Sequence, residues 1–220
     1  MNIEGTLVEG IDILKKSKIS NPQLDSEILL SNSIKRDKKY IILNPKKVLN
    51  LEQLQNFKSL IERRKKGEPI AYLVNKKEFW KYEFFVNKDV LIPRPDTELI
   101  IEEVLKIYSK ESHIQVLDIG TGSGCILLSI LKERPYFYGT GIDISKKSIS
   151  ISKLNAKQLN LTNKIKFFHS SIDKFKLGKY DLIVSNPPYI KFFNLKYLEK
   201  DVVNFEPKLA LSGGSDGFSK

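Results

Sequence analysis

Cysteine occurs once in the 220 residues, at Cys125, which excludes an internal disulfide framework and fits a reducing compartment. Histidine is almost as scarce. His113 and His169 stand apart from any acidic or cysteine cluster, so no metal site is expected. No apolar run approaches the roughly 20 residues that cross a bilayer. Met1-Asn2-Ile3-Glu4-Gly5 also lacks the basic-then-apolar order of a signal peptide. A cytoplasmic protein without a membrane partner is the expectation. Arginine is sparse too, with five among 37 basic residues, so the net charge of +11 rests on lysine. An acidic partner such as RNA would suit that charge. Pairs such as Lys15-Lys16, Lys76-Lys77 and Lys146-Lys147 are scattered rather than gathered into one stripe. Lysine with plentiful isoleucine and asparagine also follows from AT-rich coding, and the scatter favours a solvated surface over a nucleic-acid footprint.

What is present falls into three stretches. Residues 1–68 read as a helical domain of three to five helices. Leu7, Ile11 and Leu14 recur at helical spacing, as do Leu24, Ile28 and Leu29, and then Leu51, Leu54, Phe57, Leu60 and Ile61. Asn21-Pro22 suits a helix start and Asn44-Pro45 a break. Residues 69–96 change texture at Gly67-Glu68-Pro69. Clusters such as Tyr72-Leu73-Val74, Phe79-Trp80 and Phe84-Phe85-Val86 predict a β-hairpin linker or short strands. Pro93 and Pro95 end that stretch, and Asp96 or Thr97 is expected to cap a helix beginning at Glu98. From residue 97 to 220, strands at Val116–Ile119, Phe137–Ile142, Ile165–Phe168 and Tyr180–Ser185 alternate with helices. That order predicts an α/β domain with a Rossmann-like, doubly wound parallel sheet.

Two loops in the third stretch carry chemistry. Asn186-Pro187-Pro188-Tyr189 ends the strand at Tyr180–Ser185. Neither proline donates a backbone hydrogen bond, both fix their own φ, and Pro187 pushes Asn186 toward extended backbone. The stiff loop holds one amide and nearby carbonyls at a strand's C-terminal edge, where α/β sheets bind ligands. Carbonyl oxygens there can accept both protons of a planar NH2. The second loop, Gly120-Thr121-Gly122-Ser123-Gly124, follows the strand that ends in Asp118-Ile119. Its Gly-x-Gly-x-Gly spacing is not that of a dinucleotide site. Asp118, just ahead of it, would repel phosphate and suits a cationic ligand. Asp143 ends the next strand, where a carboxylate can accept from both hydroxyls of a ribose; capping of the following helix is its alternative role.

A glycine loop after an acidic strand end resembles the class I S-adenosylmethionine-dependent methyltransferases. With Asn-Pro-Pro-Tyr, the resemblance narrows to the amino methyltransferases, which alkylate a planar NH2 on adenine, cytosine or glutamine. Further segments choose among these: Gly67-Glu68-Pro69-Ile70-Ala71-Tyr72, Glu78-Phe79-Trp80, Leu91-Ile92-Pro93-Arg94-Pro95-Asp96-Thr97-Glu98, Phe205-Glu206-Pro207-Lys208-Leu209-Ala210-Leu211 and Gly213-Gly214-Ser215-Asp216-Gly217. They are similar to the release factor glutamine methyltransferases (the PrmC/HemK family), over essentially the whole chain.

The resemblance implies a protein-(glutamine-N5) methyltransferase acting on the Gly-Gly-Gln glutamine of class 1 peptide chain release factors in translation termination. It implies S-adenosyl-L-methionine over Gly120, Thr121, Gly122, Ser123 and Gly124, with its ribose on Asp143 and its adenine against Ile172. Ser171 takes the place where relatives often carry an acidic residue at the adenine, and Asp173 is a substitute for it. Asn186 and the Pro187 carbonyl would accept the substrate's amide protons beside Pro188, and Tyr189 would pack on the amide plane. A monomer is expected. Two rivals stand beside this reading. One is an adenine-amino methyltransferase on DNA or RNA, which the helical domain and the linker argue against. The other is an inactive fragment that only binds release factor. The fold class needs three more strands after Asn-Pro-Pro-Tyr and 31 residues remain, so a C-terminally truncated domain is the expectation.

Overall fold

A computed structural model describes residues 1–217. The chain divides into two compact units, Met1–Val74 and Asn75–Lys220. The break falls inside the stretch expected as linker.

The first unit is all helical: α1 (Ile3–Lys16), α2 (Pro22–Ile34), α3 (Lys38–Leu43), α4 (Leu51–Lys65) and α5 (Ile70–Val74). Local sequence starts these helices. The Asn2 side chain accepts from the Gly5 N–H, and Asn50 with Gln53 forms a reciprocal capping box on α4. Leu14, Leu29, Leu30, Phe57 and Ile61 make the core, and Arg64 Nε donates to buried Asp25 Oδ2 at 2.7 Å. The structure corrects one expectation. Tyr72-Leu73-Val74 forms a helix rather than a strand. The Tyr72 and Leu73 N–H groups both donate to the Pro69 carbonyl, and Leu73 is buried in the helical core. Packing there outweighs the local β preference of the triplet.

The second unit opens with the expected hairpin, β1 (Lys76–Phe79) against β2 (Tyr82–Phe85), antiparallel. Then follow α6 (Glu98–Ile107), β3 (Gln115–Ile119), α7 (Cys125–Glu133), β4 (Tyr138–Asp143), α8 (Lys146–Gln158), β5 (Ile165–His169), β6 (Leu182–Ser185), and two short helices, α9 (Lys200–Phe205) and α10 (Lys208–Leu211). The sheet runs β5-β4-β3-β6, all parallel. Among the described residues β6 pairs with a strand on one side. The apolar run of α7 is buried on nearly every face, with Leu127, Leu128 and Ile130 beside Val116 of β3. Phe79 and Phe84 carry the hairpin into the same core. Buried Asn155 of α8 ties two segments together. Its Nδ2 donates to the Phe85 carbonyl and, at 2.8 Å, to the Ser123 carbonyl, while its Oδ1 accepts from the Phe85 N–H. No helix among the described residues is long and apolar enough to cross a membrane.

Candidate active site

The C-terminal ends of β3, β4 and β6 open into a cavity of about 260 Å3, the edge at which parallel sheets bind ligands. The structure brings Gly120, Thr121, Gly122 and Ser123 of the glycine loop, Asp143, Ile172, Asn186, Pro187 and Pro188 to its wall, while Gly124 packs against Leu128 and Ser152 instead. Ser171 and Asp173 line it as well.

In the glycine loop, Gly120, Gly122 and Gly124 have φ of +73°, +57° and +82°, a region L side chains rarely adopt. A Cβ added at Gly120 would meet nothing within 4 Å. The backbone therefore faces open space, a cradle against which a ligand can lie closely. Asp118 sits beneath the loop, 1% exposed, and its Oδ2 accepts from Thr121 Oγ at 2.7 Å. Its Oδ1 is buried and unpartnered among the described residues. Burial above all, with the nearby Asp143 charge adding, pushes this carboxyl up to about 7 against the pull of the Thr121 hydroxyl. The placement makes Asp118 a support for the loop rather than a cavity-wall anion. Cys125 begins α7; burial pushes its thiol up to about 12, so it is no nucleophile near neutrality.

Asp143 closes the loop from β4. Its Oδ2 accepts from the Gly122 N–H at 2.9 Å and its Oδ1 from the Ser145 N–H at 2.8 Å. Burial raises its pKa, opposed by those two N–H groups and by His169. Each oxygen keeps a lone pair for a ligand hydroxyl. Asp143 is not the cap of α8: Ser145 fills that place, its Oγ accepting from the Ser148 N–H.

The Asn-Pro-Pro-Tyr loop follows β6, whose Ser185 hydroxyl donates to the Ile119 carbonyl at 2.9 Å. Asn186 Nδ2 donates to Thr97 Oγ1 at 3.2 Å. Tyr189 is 69% exposed and is not among the residues that line the cavity. The expected side-chain cap on α6 is absent too. Thr97 stands at the N-cap position with helical backbone and makes no cap bond, its hydroxyl being turned to Asn186.

The far wall comes from segments that the sequence marks only by their family resemblance. Glu206, with 1% of its side chain exposed, accepts from Arg94 Nη2 at 2.6 Å and from the Ile92 N–H at 3.3 Å. That anchors the turn leading to Pro207, Leu209 and Ala210, which line the cavity with Arg94 and Thr97. Gly213 packs behind the Asn-Pro-Pro-Tyr loop. A Cβ there would lie 2.8 Å from the Pro188 carbonyl oxygen, and its N–H donates to the Ile190 carbonyl.

Residues 6–74 match the PrmC N-terminal domain family, and residues 95–201 match the methyltransferase small domain family. The release factor glutamine methyltransferase of Buchnera aphidicola subsp. Baizongia pistaciae is 44% identical over 93% of this chain and 73% of that protein. The one from Caulobacter vibrioides is 38% identical over 94% of this chain and 72% of its own length. A bifunctional methyltransferase of Rickettsia bellii is 37% identical over 98% of this chain, which spans 44% of that protein. Among solved structures, the METTL16 methyltransferase domain is similar with a TM-score of 0.42, at 25% identity, over 49% of this chain and 52% of that one. The chain thus spans under half of the bifunctional relative and about three quarters of the two release factor glutamine methyltransferases. At these identities and coverages, the chain belongs to the release factor glutamine methyltransferase family.

Proposed function

We propose that this chain methylates the side-chain amide nitrogen of the Gly-Gly-Gln glutamine in class 1 peptide chain release factors, as a cytoplasmic monomer using S-adenosyl-L-methionine. The observation that carries the reading is the meeting of the glycine loop, Asp143 and Asn186-Pro187-Pro188 around one cavity. Gly120 to Gly124 and Asp143 would hold the cofactor, with Ile172 against its adenine. When bound, the cofactor supplies an electrophilic methyl group on a sulfonium.

The protein's remaining task is the nucleophile. An amide nitrogen is weak because its lone pair is delocalised into the carbonyl. Asn186 Oδ1 and the Pro187 carbonyl accept the two amide protons, which disfavours that delocalisation and aims the nitrogen. The gain is orientation plus electrostatics directed at the transition state. No strong base is needed beforehand, since the proton becomes acidic only as the N–C bond forms.

Labelled S-adenosylmethionine with purified release factor, in the presence and absence of RNA and DNA, tests the reading. Label on the factor supports it. Label on nucleic acid replaces it with adenine methylation by base extrusion, and no label on either leaves a binding fragment.

A further inference from the structure

We infer that Thr97 is a positioning residue that holds the Asn186 side-chain amide in one plane at the cavity wall; this rests on Asn186 being the substrate-gripping group proposed above. The two ends of a carboxamide are nearly the same size and opposite in hydrogen-bonding sense. Pro187 stiffens the Asn186 backbone but leaves the terminal torsion, which is broad and two-fold. With Oδ1 turned inward, Asn186 accepts from a substrate NH2; flipped, it presents its own NH2 and opposes that substrate donor for donor. A hydroxyl can pair with either end, so the substrate's donors select the end and a fixed partner outside the loop is needed to hold the plane.

Thr97 Oγ1 accepts from Asn186 Nδ2 at 3.2 Å, which ties that end of the amide to a fixed partner. Three further observations set Thr97 apart from an ordinary helix start. Its hydroxyl leaves the first turn of α6 uncapped, although threonine at that position usually serves as a cap. Its backbone is locked in the turn Pro95–Thr97, with its N–H on the Arg94 carbonyl. Arg94 in turn is held by buried Glu206. The hydroxyl is therefore presented from a rigid support that also walls the cavity.

The test compares Thr97→Val and Thr97→Ala with Thr97→Ser. Side-chain amide NMR of Asn186, assigned against Asn186→Ala, should show a protected Nδ2 proton in the wild type and in T97S. That proton should shift and exchange faster in T97V and T97A. In release factor methylation, T97V and T97A should lower kcat about 5- to 10-fold, one hydrogen bond's worth, with cofactor Kd unchanged and T97S near wild type. In an Asn186→Ala background T97V should add nothing. An Asn186 amide unmoved in T97V, or a T97V effect of equal size without Asn186, overturns the inference. A wild-type chain that methylates no factor would sink the proposed activity instead, while the amide spectrum would still decide the role of Thr97.

Discussion

Asp118 and Asn186 are both polar groups at strand ends, and their surroundings give them opposite tasks. Asn186 lines the cavity with its Nδ2 held by Thr97 Oγ1. Asp118 is shut under the glycine loop with one oxygen unpartnered among the described residues, and burial raises its pKa from 3.8 to about 7. A folded-state pKa above the unfolded one means that the native state holds the proton longer. The stability from that protonated carboxyl is fully present below about pH 4 and is lost as pH rises through about 7. Burial of Asp143 acts with the same sign, whereas Glu27 and Glu133 are lowered and act oppositely. Comparison with Asp118→Asn isolates the one group. Thermal melts from pH 5 to pH 8 should show wild type losing Tm relative to D118N as pH rises. Parallel curves would contradict the burial assigned to Asp118.

At the scale of elements, much of the site was legible because punctuation is local. The glycine loop, the strand-ending Asp143 and the double proline each announce themselves within a few residues, and the structure brings all three to one cavity. What was not legible depends on distant partners. Thr97 before a helix reads as a cap, and only the fold shows its hydroxyl turned to Asn186. Tyr72-Leu73-Val74 reads as a strand until Leu73 finds the helical core. Glu206 looks like one more surface carboxylate until Arg94 and the Ile92 N–H close on it. Removing its carboxylate leaves the buried Ile92 N–H without this partner, at a cost of about 1–3 kcal/mol. Glu206→Ala should therefore lower Tm and weaken both cofactor and substrate binding, since the wall at Pro207, Leu209 and Ala210 loses its anchor. An E206A protein with wild-type melting and kinetics would show the anchor to be idle.

At the scale of the molecule, the two units are built differently. Met1–Val74 carries its own helical core, its own caps and the buried Asp25–Arg64 pair. Expressed alone, residues 1–74 should be helical by circular dichroism and melt cooperatively. Arg64→Ala in that piece should destabilise it by about 3–5 kcal/mol, because Asp25 would be left a buried, unpaired charge. A non-cooperative melt of the isolated piece would contradict its independence.

Asn75–Lys220 holds the whole of the candidate site, and the chemistry at that site decides the function. Tandem mass spectrometry of a class 1 release factor, after incubation with this chain and S-adenosylmethionine, tests it most directly. One methyl group on the Gly-Gly-Gln glutamine is predicted, with turnover reduced at least about 100-fold in Asn186→Ala and cofactor affinity little changed. An unmodified glutamine, or equal methylation by N186A, would contradict it.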